Sequence, residues 1–215
     1  MTEYPVTVHV APATENRNRL TTAFRFFLAL PHLILVGGPA AIGLGVGWNW
    51  DDGWSWSSSA GLLGHAVFLT TIVMWFAIVI TAAHIDMLWR FAAFFVRWRV
   101  RATAYLMLLR DEYPPFGEGD GEYPAFVEIG EPPAERDRLT VFFRILLALP
   151  HILLLGVLNV LWAFTTAVAW VVILFTGRYP ETLYGFALGV LAWSVRVETY
   201  VLLLRDEYPP FSLKT

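Results

Sequence analysis

Two long runs without charge constrain this chain more than any other feature. Residues 152–175 are 24 consecutive residues with no ionisable side chain, and residues 62–83 are 22 with His65 as the one exception. A helix needs about 20 apolar residues to cross the hydrocarbon core of a bilayer. The composition agrees, since 57% of the residues are hydrophobic, against roughly 45–50% in soluble domains. The sequence therefore predicts an all-α integral membrane protein.

The sequence also contains a long internal duplication. The segment RLTTAFRFFLALPH at residues 19–32 matches RLTVFFRILLALPH at residues 138–151 in 10 of 14 positions, at an offset of 119. Further along, residues 105–116 match residues 200–211 in 10 of 12 positions at an offset of 95, and both segments end in RDEYPPF. A duplication of this kind predicts one structural unit that occurs twice.

The two copies cover residues 3–116 and 122–211, and the segment GEGDG at 117–121 links them. The change of offset from 119 to 95 gives the first copy 24 extra residues, a Gly- and Trp-rich insertion at about 37–61. Each copy begins with alternating apolar residues, which predict a short cytoplasmic β-strand. Two strands alone are marginal, so we expect them to pair with each other or with a partner's sheet. The inward residues would be Val6, Val8, Val10, Ala125, Val127 and Ile129.

Each copy continues with an amphipathic interfacial helix and a membrane hairpin. Pro31 and Pro150 are expected to bend the first helix into the membrane. Most arginines lie on the side of the two RDEYPPF segments, and Lys and Arg accumulate in cytoplasmic loops. The predicted architecture is therefore two tandem, parallel helical hairpins with about four spans. The predicted location is the bacterial inner (plasma) membrane, with both termini cytoplasmic.

Two parts of this topology stay open in the sequence. Residues 26–48 are apolar but rich in glycine, so they form either a fifth span or a re-entrant segment that other helices cover. The return helices, at residues 87–109 and 181–204, carry several arginines. These helices either cross the membrane or lie flat in its interface.

A set of short motifs gives the chain a family resemblance. The segments FFRILLALPHILLL, FTGRYPETLYGF and RVETYVLLLRDEYPPF follow one another in the second copy. This pattern resembles a bacterial, mainly actinobacterial, membrane-protein family known as a domain of unknown function. The first copy departs from it, because TAAHIDM at residues 81–87 replaces TGRYPET. The resemblance implies a membrane fold and location, and it carries no activity.

His32 and His151 occupy equivalent places, each directly after a proline. Two imidazoles related by a pseudo-twofold axis are candidate ligands for a haem or a metal. The alternative is that each histidine bonds carbonyls freed by its proline or lies in the headgroup layer. No acidic residue lies near either histidine to orient it as a ligand, which favours the alternative.

Arg97, Arg101 and Arg196 lie within the return helices, and ionisable groups at such depth are candidate functional sites. One hypothesis is that they hold a phospholipid headgroup or another anion between the hairpins. The structural alternatives are an interhelical ion pair with Glu198 or return helices that never cross the membrane.

The remaining candidates concern packing and anchoring. Gly185 and Gly189 form a small-xxx-small step that predicts close approach of a neighbouring helix. Aromatic residues prefer the membrane interface. A tryptophan belt is therefore expected in the insertion, with a sugar or partner protein stacked on those rings as the alternative. The candidate anchors are Trp48, Trp50, Trp54, Trp56, Tyr113, Phe116, Tyr208 and Phe211.

These features favour a non-enzymatic protein that is an accessory or scaffold subunit of a larger membrane complex. Its partners would be membrane lipids and other membrane-protein subunits. The alternatives are a phospholipid or small-anion carrier and a bis-histidine haem protein. The chain has no cysteine, and it has no P-loop, HExxH helix or serine–histidine–acid arrangement, so no catalytic residue and no cofactor is predicted. No basic block points to nucleic acid.

Overall fold

The structure is a computed structural model that describes residues 4–39, 46–49, 53–56, 61–119, 123–133 and 135–214, with the backbone alone at 46–49 and 53–56. The described chain is mostly helical. Its helices are α1 (Arg19–Ala23), α2 (Arg25–Val36), α3 (Gly61–Thr81), α4 (Asp86–Leu106), α5 (Arg138–Phe142), α6 (Arg144–Thr176) and α7 (Glu181–Val201). Its strands are β1 (Val6–Val10), β2 (Val46–Asn49), β3 (Gly53–Trp56) and β4 (Ala125–Ile129).

The two prolines lie inside helices. Pro31 lies inside α2 and Pro150 lies inside α6, so the helix continues past each proline, and a bend there stays a prediction. The helix is interrupted earlier, at Phe24 and Phe143, where the short helices α1 and α5 end and the next helices begin at once. The arginine that follows each break turns inward and binds the end of a neighbouring helix.

The insertion divides a helix in the first copy that is continuous in the second. Helix α2 ends at Val36 and α3 begins at Gly61, whereas α6 runs for 33 residues. The end of α2 and the start of α3 lie in close contact, because a Cβ on Gly61 would lie 2.4 Å from the nitrogen of Gly37. Gly61 also has φ +70°, which favours glycine. Among the described residues of 26–48, the 12-residue helix ends at Val36 and a strand begins at Val46, so these described residues form no continuous fifth span.

Strands β1 and β4 form an antiparallel ribbon, which confirms that the two predicted strands pair with each other. Val8 lies opposite Val127 at its centre. The alternating apolar residues of both strands are buried, as the pattern predicted. Strands β2 and β3 form a separate ribbon in the insertion, with Trp48 opposite Trp54.

Helices α4 and α7 run antiparallel. At one end, the indole N–H of Trp89 in α4 donates to the carbonyl of Leu204, just after α7, at 3.1 Å. At the other end, the carbonyl of Ala11 accepts from Arg110, just after α4, at 2.6 Å and from Tyr184 in α7 at 3.3 Å. The predicted parallel orientation of the two hairpins is therefore wrong.

The turns of the hairpins also lie beside the RDEYPPF segments rather than across from them. The Arg17 N–H donates to the carbonyl of Gly177, in the turn before α7, at 2.9 Å, and the Arg17 side chain binds Asp111. The Arg136 N–H donates to the carbonyl of Ala82, in the turn before α4, at 3.0 Å, and its side chain binds the second RDEYPPF segment. The expected separation of turns and RDEYPPF segments by the membrane is wrong.

The elements form three layers. The β1–β4 ribbon packs on α4 and α7, and these two helices pack in turn against α2, α3 and α6. Being covered on both sides, α4 is buried over most of its length from Ala92 to Tyr105. Helix α7 is buried in the same way.

Helices α3 and α6 are long and apolar enough to cross a membrane, and they are the two that meet this description in the described part of the chain. Their most apolar windows are only 28% and 22% buried inside the protein. Apolar side chains therefore face outward along both helices. Four spans are not confirmed.

Candidate functional site

The RDEYPPF segments lie at two places where many polar side chains converge. We call the first place the first clasp, and it comprises Arg17, Arg25, Arg110, Asp111 and Glu112. The second clasp comprises the residues at equivalent positions, Arg136, Arg144, Arg205, Asp206 and Glu207.

In the first clasp, Asp111 joins three parts of the chain. It accepts from Arg17 Nε at 2.9 Å and Nη2 at 2.7 Å, from the Asn18 N–H at 3.0 Å, and from Arg25 Nη2 at 2.5 Å. Arg25 also donates to the carbonyl of Tyr105 at 3.1 Å, and its guanidinium lies 4.2 Å from the centre of the Tyr105 ring. The clasp thus adds a side-chain donor to the carbonyl of Tyr105 near the end of α4, which also accepts from the Leu108 N–H at 3.1 Å.

The second clasp repeats these contacts. Asp206 accepts from Arg136 Nε and Nη2, both at 2.6 Å, and from Arg144 Nη2 at 2.6 Å. Arg144 donates to the carbonyl of Tyr200 at 3.0 Å and lies 4.1 Å from the centre of its ring. Each arginine that follows a helix break therefore binds the end of the return helix in its own copy.

The partly buried aspartates Asp111 and Asp206 are held in the charged state. Burial alone would raise the pKa of the Asp111 carboxyl, but hydrogen bonds from Arg17, the Asn18 amide and Arg25 outweigh it and hold that pKa below its usual value. The pKa of Asp206 is lowered against the same effect of burial by Arg136 and Arg144. Hydrogen bonds to the charged form are the common cause.

The return helices end before the RDEYPPF prolines. Helix α4 ends at Leu106 and α7 at Val201, several residues before the prolines. Leu108 and Leu203, with φ 65° and 61°, instead turn the chain in the left-handed region. The segment then folds back, with its carboxylate in the clasp and its aromatic rings against a histidine.

Each candidate histidine lies in an aromatic cluster. His32 Nδ1 accepts from the Trp98 indole at 3.0 Å, and its ring stacks on Phe116 at 4.5 Å between centroids and contacts Tyr113 at 5.1 Å. His151 makes the same contacts with the residues at equivalent positions, Trp193, Phe211 and Tyr208. The anchor residues Tyr113, Phe116, Tyr208 and Phe211 are about half exposed.

These clusters favour a packing role for the histidines over the haem hypothesis. Nδ1 of His32 is occupied by an indole N–H, and a stacked phenylalanine covers one ring face. His151 is held in the same way. Each histidine thus lies within its own cluster, fixed by a side chain of the return helix.

The candidate arginines bind the chain rather than one another. Arg101 donates to the carbonyls of Glu118 and Gly117, the latter at 2.5 Å, and Arg97 lies 3.8 Å from the Glu118 carboxylate. Arg196 donates to the carbonyl of Ser212 at 3.4 Å. The structure brings Arg97 and Arg101 together at one segment and places Arg196 at another. The anion hypothesis for these three stays a prediction.

Glu198 forms the interhelical ion pair that the sequence offered as an alternative, but with a different arginine. Its partner is Arg99 of α4, and both side chains are buried. The positions equivalent to these two residues hold Ser194 and Thr103. This pair is therefore a contact between the copies that occurs once.

The two glycines of α7 differ in their surroundings. A Cβ on Gly189 would lie 2.6 Å from the carbonyl oxygen of Leu213, whereas a Cβ on Gly185 would meet nothing within 4 Å. The close neighbour of Gly189 is thus the C-terminal segment of the chain rather than a helix. The side chains of Trp48, Trp54 and Trp56, and all of Trp50, lie outside the described residues.

Sequence reasoning missed the clasps. In the sequence, the arginines indicate only the cytoplasmic side of the membrane, and neither aspartate belongs to a catalytic motif. The available signal was that each charged clasp residue, Arg17, Arg25, Arg110, Asp111 and Glu112, has an identical counterpart in the other copy.

Comparison with known proteins places the chain in a family. The family model described as Domain of unknown function (DUF4389) matches residues 59–117 and 138–212. These two segments make up more than half of the chain, and each contains a RDEYPPF segment. No curated protein and no solved structure matched the chain. The chain therefore belongs to the family described as Domain of unknown function (DUF4389).

Proposed function

We propose that this is a non-enzymatic membrane protein, built from two repeated units, that acts as an accessory or scaffold subunit of a membrane complex. It would lie in the cytoplasmic face of the plasma membrane and offer the β1–β4 ribbon to a partner protein. The single observation that carries this proposal is the three-layer order of ribbon, buried helices and outward-facing apolar helices.

The ribbon supports one orientation of the layers relative to the membrane. Its outer face carries exposed His9 and Glu128, 3.8 Å apart. Because α4 and α7 run antiparallel beneath the ribbon, upright α4 and α7 would place this face at the depth of the hydrocarbon core. Charged groups at that depth are costly. Helices α4 and α7 therefore lie flat in the interface, and the ribbon faces water.

The opposite layer belongs in lipid. Leu153, Val160 and Phe164 of α6 are 71%, 70% and 68% exposed, and in water such a surface would be an unusually large apolar patch. The 33 residues of α6 span about 50 Å, against a hydrocarbon core of about 30 Å. This length fits a helix that lies along the membrane better than one that stands upright in it.

A groove beside β1 supports the partner role. It has a volume of about 500 Å³ and follows residues 7–11 towards Leu188 of α7. The N–H of Ala11, just after β1, donates to the carbonyl of Pro124, just before β4. Successive backbone N–H groups of a strand point to opposite edges, so the N–H groups of Val6, Val8 and Val10 point away from β4, to the outer edge of β1. An exposed edge of this kind accepts a partner's strand.

The clasps support a non-enzymatic role, because their polar groups are used to hold the fold. Asp111 and Asp206 each bind two arginines, and all six of the clasp arginines donate to backbone carbonyls as well. Groups engaged in this way are not presented to a substrate.

Cysteine labelling tests the placement, since the chain has no cysteine of its own. Single cysteines would replace Glu128 on the ribbon, Arg90 and Arg178 near the two turns, and Phe164 on the lipid face. In sealed vesicles of known orientation, a membrane-impermeant maleimide should label the first three from the same face and leave Phe164→Cys unlabelled. Labelling of Arg178→Cys only from the face opposite to Glu128→Cys would refute the flat arrangement and restore spanning hairpins.

A proline in β1 tests the partner surface. Val8→Pro removes an N–H that points to the outer edge of β1 and leaves the hydrogen bonds between β1 and β4 in place. Val8→Ala is the matched control, because it keeps this N–H. Partners that co-purify in mild detergent should be lost with Val8→Pro and kept with Val8→Ala. Equal co-purification with both variants would exclude strand addition at this edge.

A further inference from the structure

Two grooves open on the apolar surface at equivalent positions. The first groove has a volume of about 520 Å³, and its walls include Arg25, Phe26, Leu108, Ala163, Thr166 and Trp170. The second has a volume of about 280 Å³, and its walls include Arg144, Ile145, Leu203, Phe68, Thr71 and Trp75. These volumes are close to or within the range of about 300–1,000 Å³ typical of small-molecule sites.

The groove walls are held by hydrogen bonds within the protein. The Trp170 indole donates to the carbonyl of Thr22 at 2.9 Å, and the Trp75 indole donates to the carbonyl of Val141 at 3.0 Å. At the rims, Phe26 and Ile145 are 60% and 61% exposed. The grooves are therefore preformed and open towards the layer that the proposed placement puts in lipid.

Each groove has one buried arginine in its wall. Arg25 and Arg144 line the grooves with side chains that are at most 2% exposed, and their terminal nitrogens are bonded within the clasps. The guanidinium groups thus place a fixed positive charge beside each apolar groove.

The charge around each groove favours an anion. Each clasp contains three arginines against two carboxylates, which leaves one excess positive charge. Arg19 and Arg138 are exposed at the starts of α1 and α5. Arg19 lies one helical turn before Ala23, a wall residue of the first groove, and so shares its helix face.

We propose that each groove binds an acyl chain of an anionic phospholipid. The acyl chain packs against the apolar walls of the groove, and the anionic headgroup lies near Arg19 or Arg138. This inference rests on the proposed membrane placement and adds a specific lipid to it. It differs from the sequence hypothesis, which used Arg97, Arg101 and Arg196.

Native mass spectrometry from mild detergent tests the proposal. The protein would be titrated with phosphatidylglycerol or phosphatidylcholine of identical acyl chains. We expect retention of up to two phosphatidylglycerol molecules, with weaker retention of phosphatidylcholine. Retention of no lipid, or equal retention of both lipids, would overturn the proposal.

Matched variants locate the sites. Ala167→Trp fills the first groove and should leave one retained lipid, whereas Val160→Trp, on an exposed part of α6 outside the groove, should leave two. Arg19→Gln should abolish the headgroup preference at one site only. Identical behaviour of Ala167→Trp and Val160→Trp would refute the groove. If the cysteine variants are labelled as proposed above but the protein retains no lipid, the lipid sites alone are refuted. If Glu128→Cys and Arg178→Cys are labelled from opposite faces, the membrane placement is refuted.

Discussion

Arg17 and Asp111 form a two-point ion pair across 94 positions of the sequence, with nitrogen–oxygen distances of 2.9 and 2.7 Å. The pair joins the segment before α1 to the end of α4, and the turn before α7 is bound to the Arg17 amide. The ion pair thus lies within the first copy, and the Arg17 amide links it to the second copy. The same arrangement recurs at Arg136 and Asp206.

Removing the charge of Asp111 should strongly destabilise the fold. Asp111→Asn leaves two buried arginines without their carboxylate, and the loss of one partner of a buried ion pair costs about 3–5 kcal/mol. The measurement is the free energy of unfolding by denaturant in detergent. The control is Glu112→Gln, because Glu112 is 52% exposed and should matter much less. Equal losses in the two variants would contradict the role of the clasp.

The clasps should also make the stability of the fold depend on pH. The pKa values of Asp111 and Asp206 are lowered in the folded protein. The stability that the two carboxylates contribute is therefore complete above the pKa of an aspartate in the unfolded chain, about 3.9. It is lost as the pH falls through the lower pKa values of the folded protein. Unfolding should therefore become easier below about pH 4. Thermal unfolding followed by circular dichroism between neutral pH and pH 3 measures this. An unchanged midpoint over that interval would show that the aspartates do not stabilise the fold.

The glycines of α7 provide a matched pair. Gly189→Ala places a methyl group 2.6 Å from the backbone oxygen of Leu213, whereas the methyl group of Gly185→Ala meets no neighbour. Alanine favours a helix over glycine by about 1 kcal/mol, so Gly185→Ala should be neutral or stabilising in a denaturant titration. Gly189→Ala should be destabilising and should expose the C-terminal segment to limited proteolysis. If Gly185→Ala were the more destabilising of the two variants, the close contact with Leu213 would not lie at Gly189.

Removing one partner of the Arg99–Glu198 pair should strongly destabilise the protein, whereas replacing both partners by apolar residues should not. Glu198→Ala leaves Arg99 buried without its carboxylate, which should cost about 3–5 kcal/mol of unfolding free energy. A double variant, Arg99→Met with Glu198→Leu, removes both charges and should recover most of the loss. If the double variant is as unstable as Glu198→Ala, the pair does not act through charge.

The sequence predicts the local features of this fold well. The apolar runs identify the outward-facing helices, the alternation at Val6–Val10 identifies the ribbon, and the change of offset identifies the insertion that separates α2 from α3. Gly177, with φ 70°, ends α6, as is common for glycine at the end of a helix. These features depend on residues close together in the chain.

The orientation of the copies could not be read in the same way. The positive-inside rule assumes that arginines lie in exposed loops, but Arg17, Arg25, Arg110, Arg136, Arg144 and Arg205 are buried in the clasps. Their positions report where helix ends are bound, not which side of a membrane they face. The antiparallel order of α4 and α7 depends on contacts between residues about 100 positions apart, such as Trp89 with Leu204.

The most direct test of the account is the depth of α6 in the membrane. Spin labels at Leu153, Val157, Val160, Phe164 and Val171 would report depth on one exposed face of the helix through their relative accessibility to oxygen and to a water-soluble nickel complex. A helix that lies along the membrane predicts nearly the same depth at all five positions. A depth that rises steadily to a maximum and falls again towards the opposite interface would contradict the account.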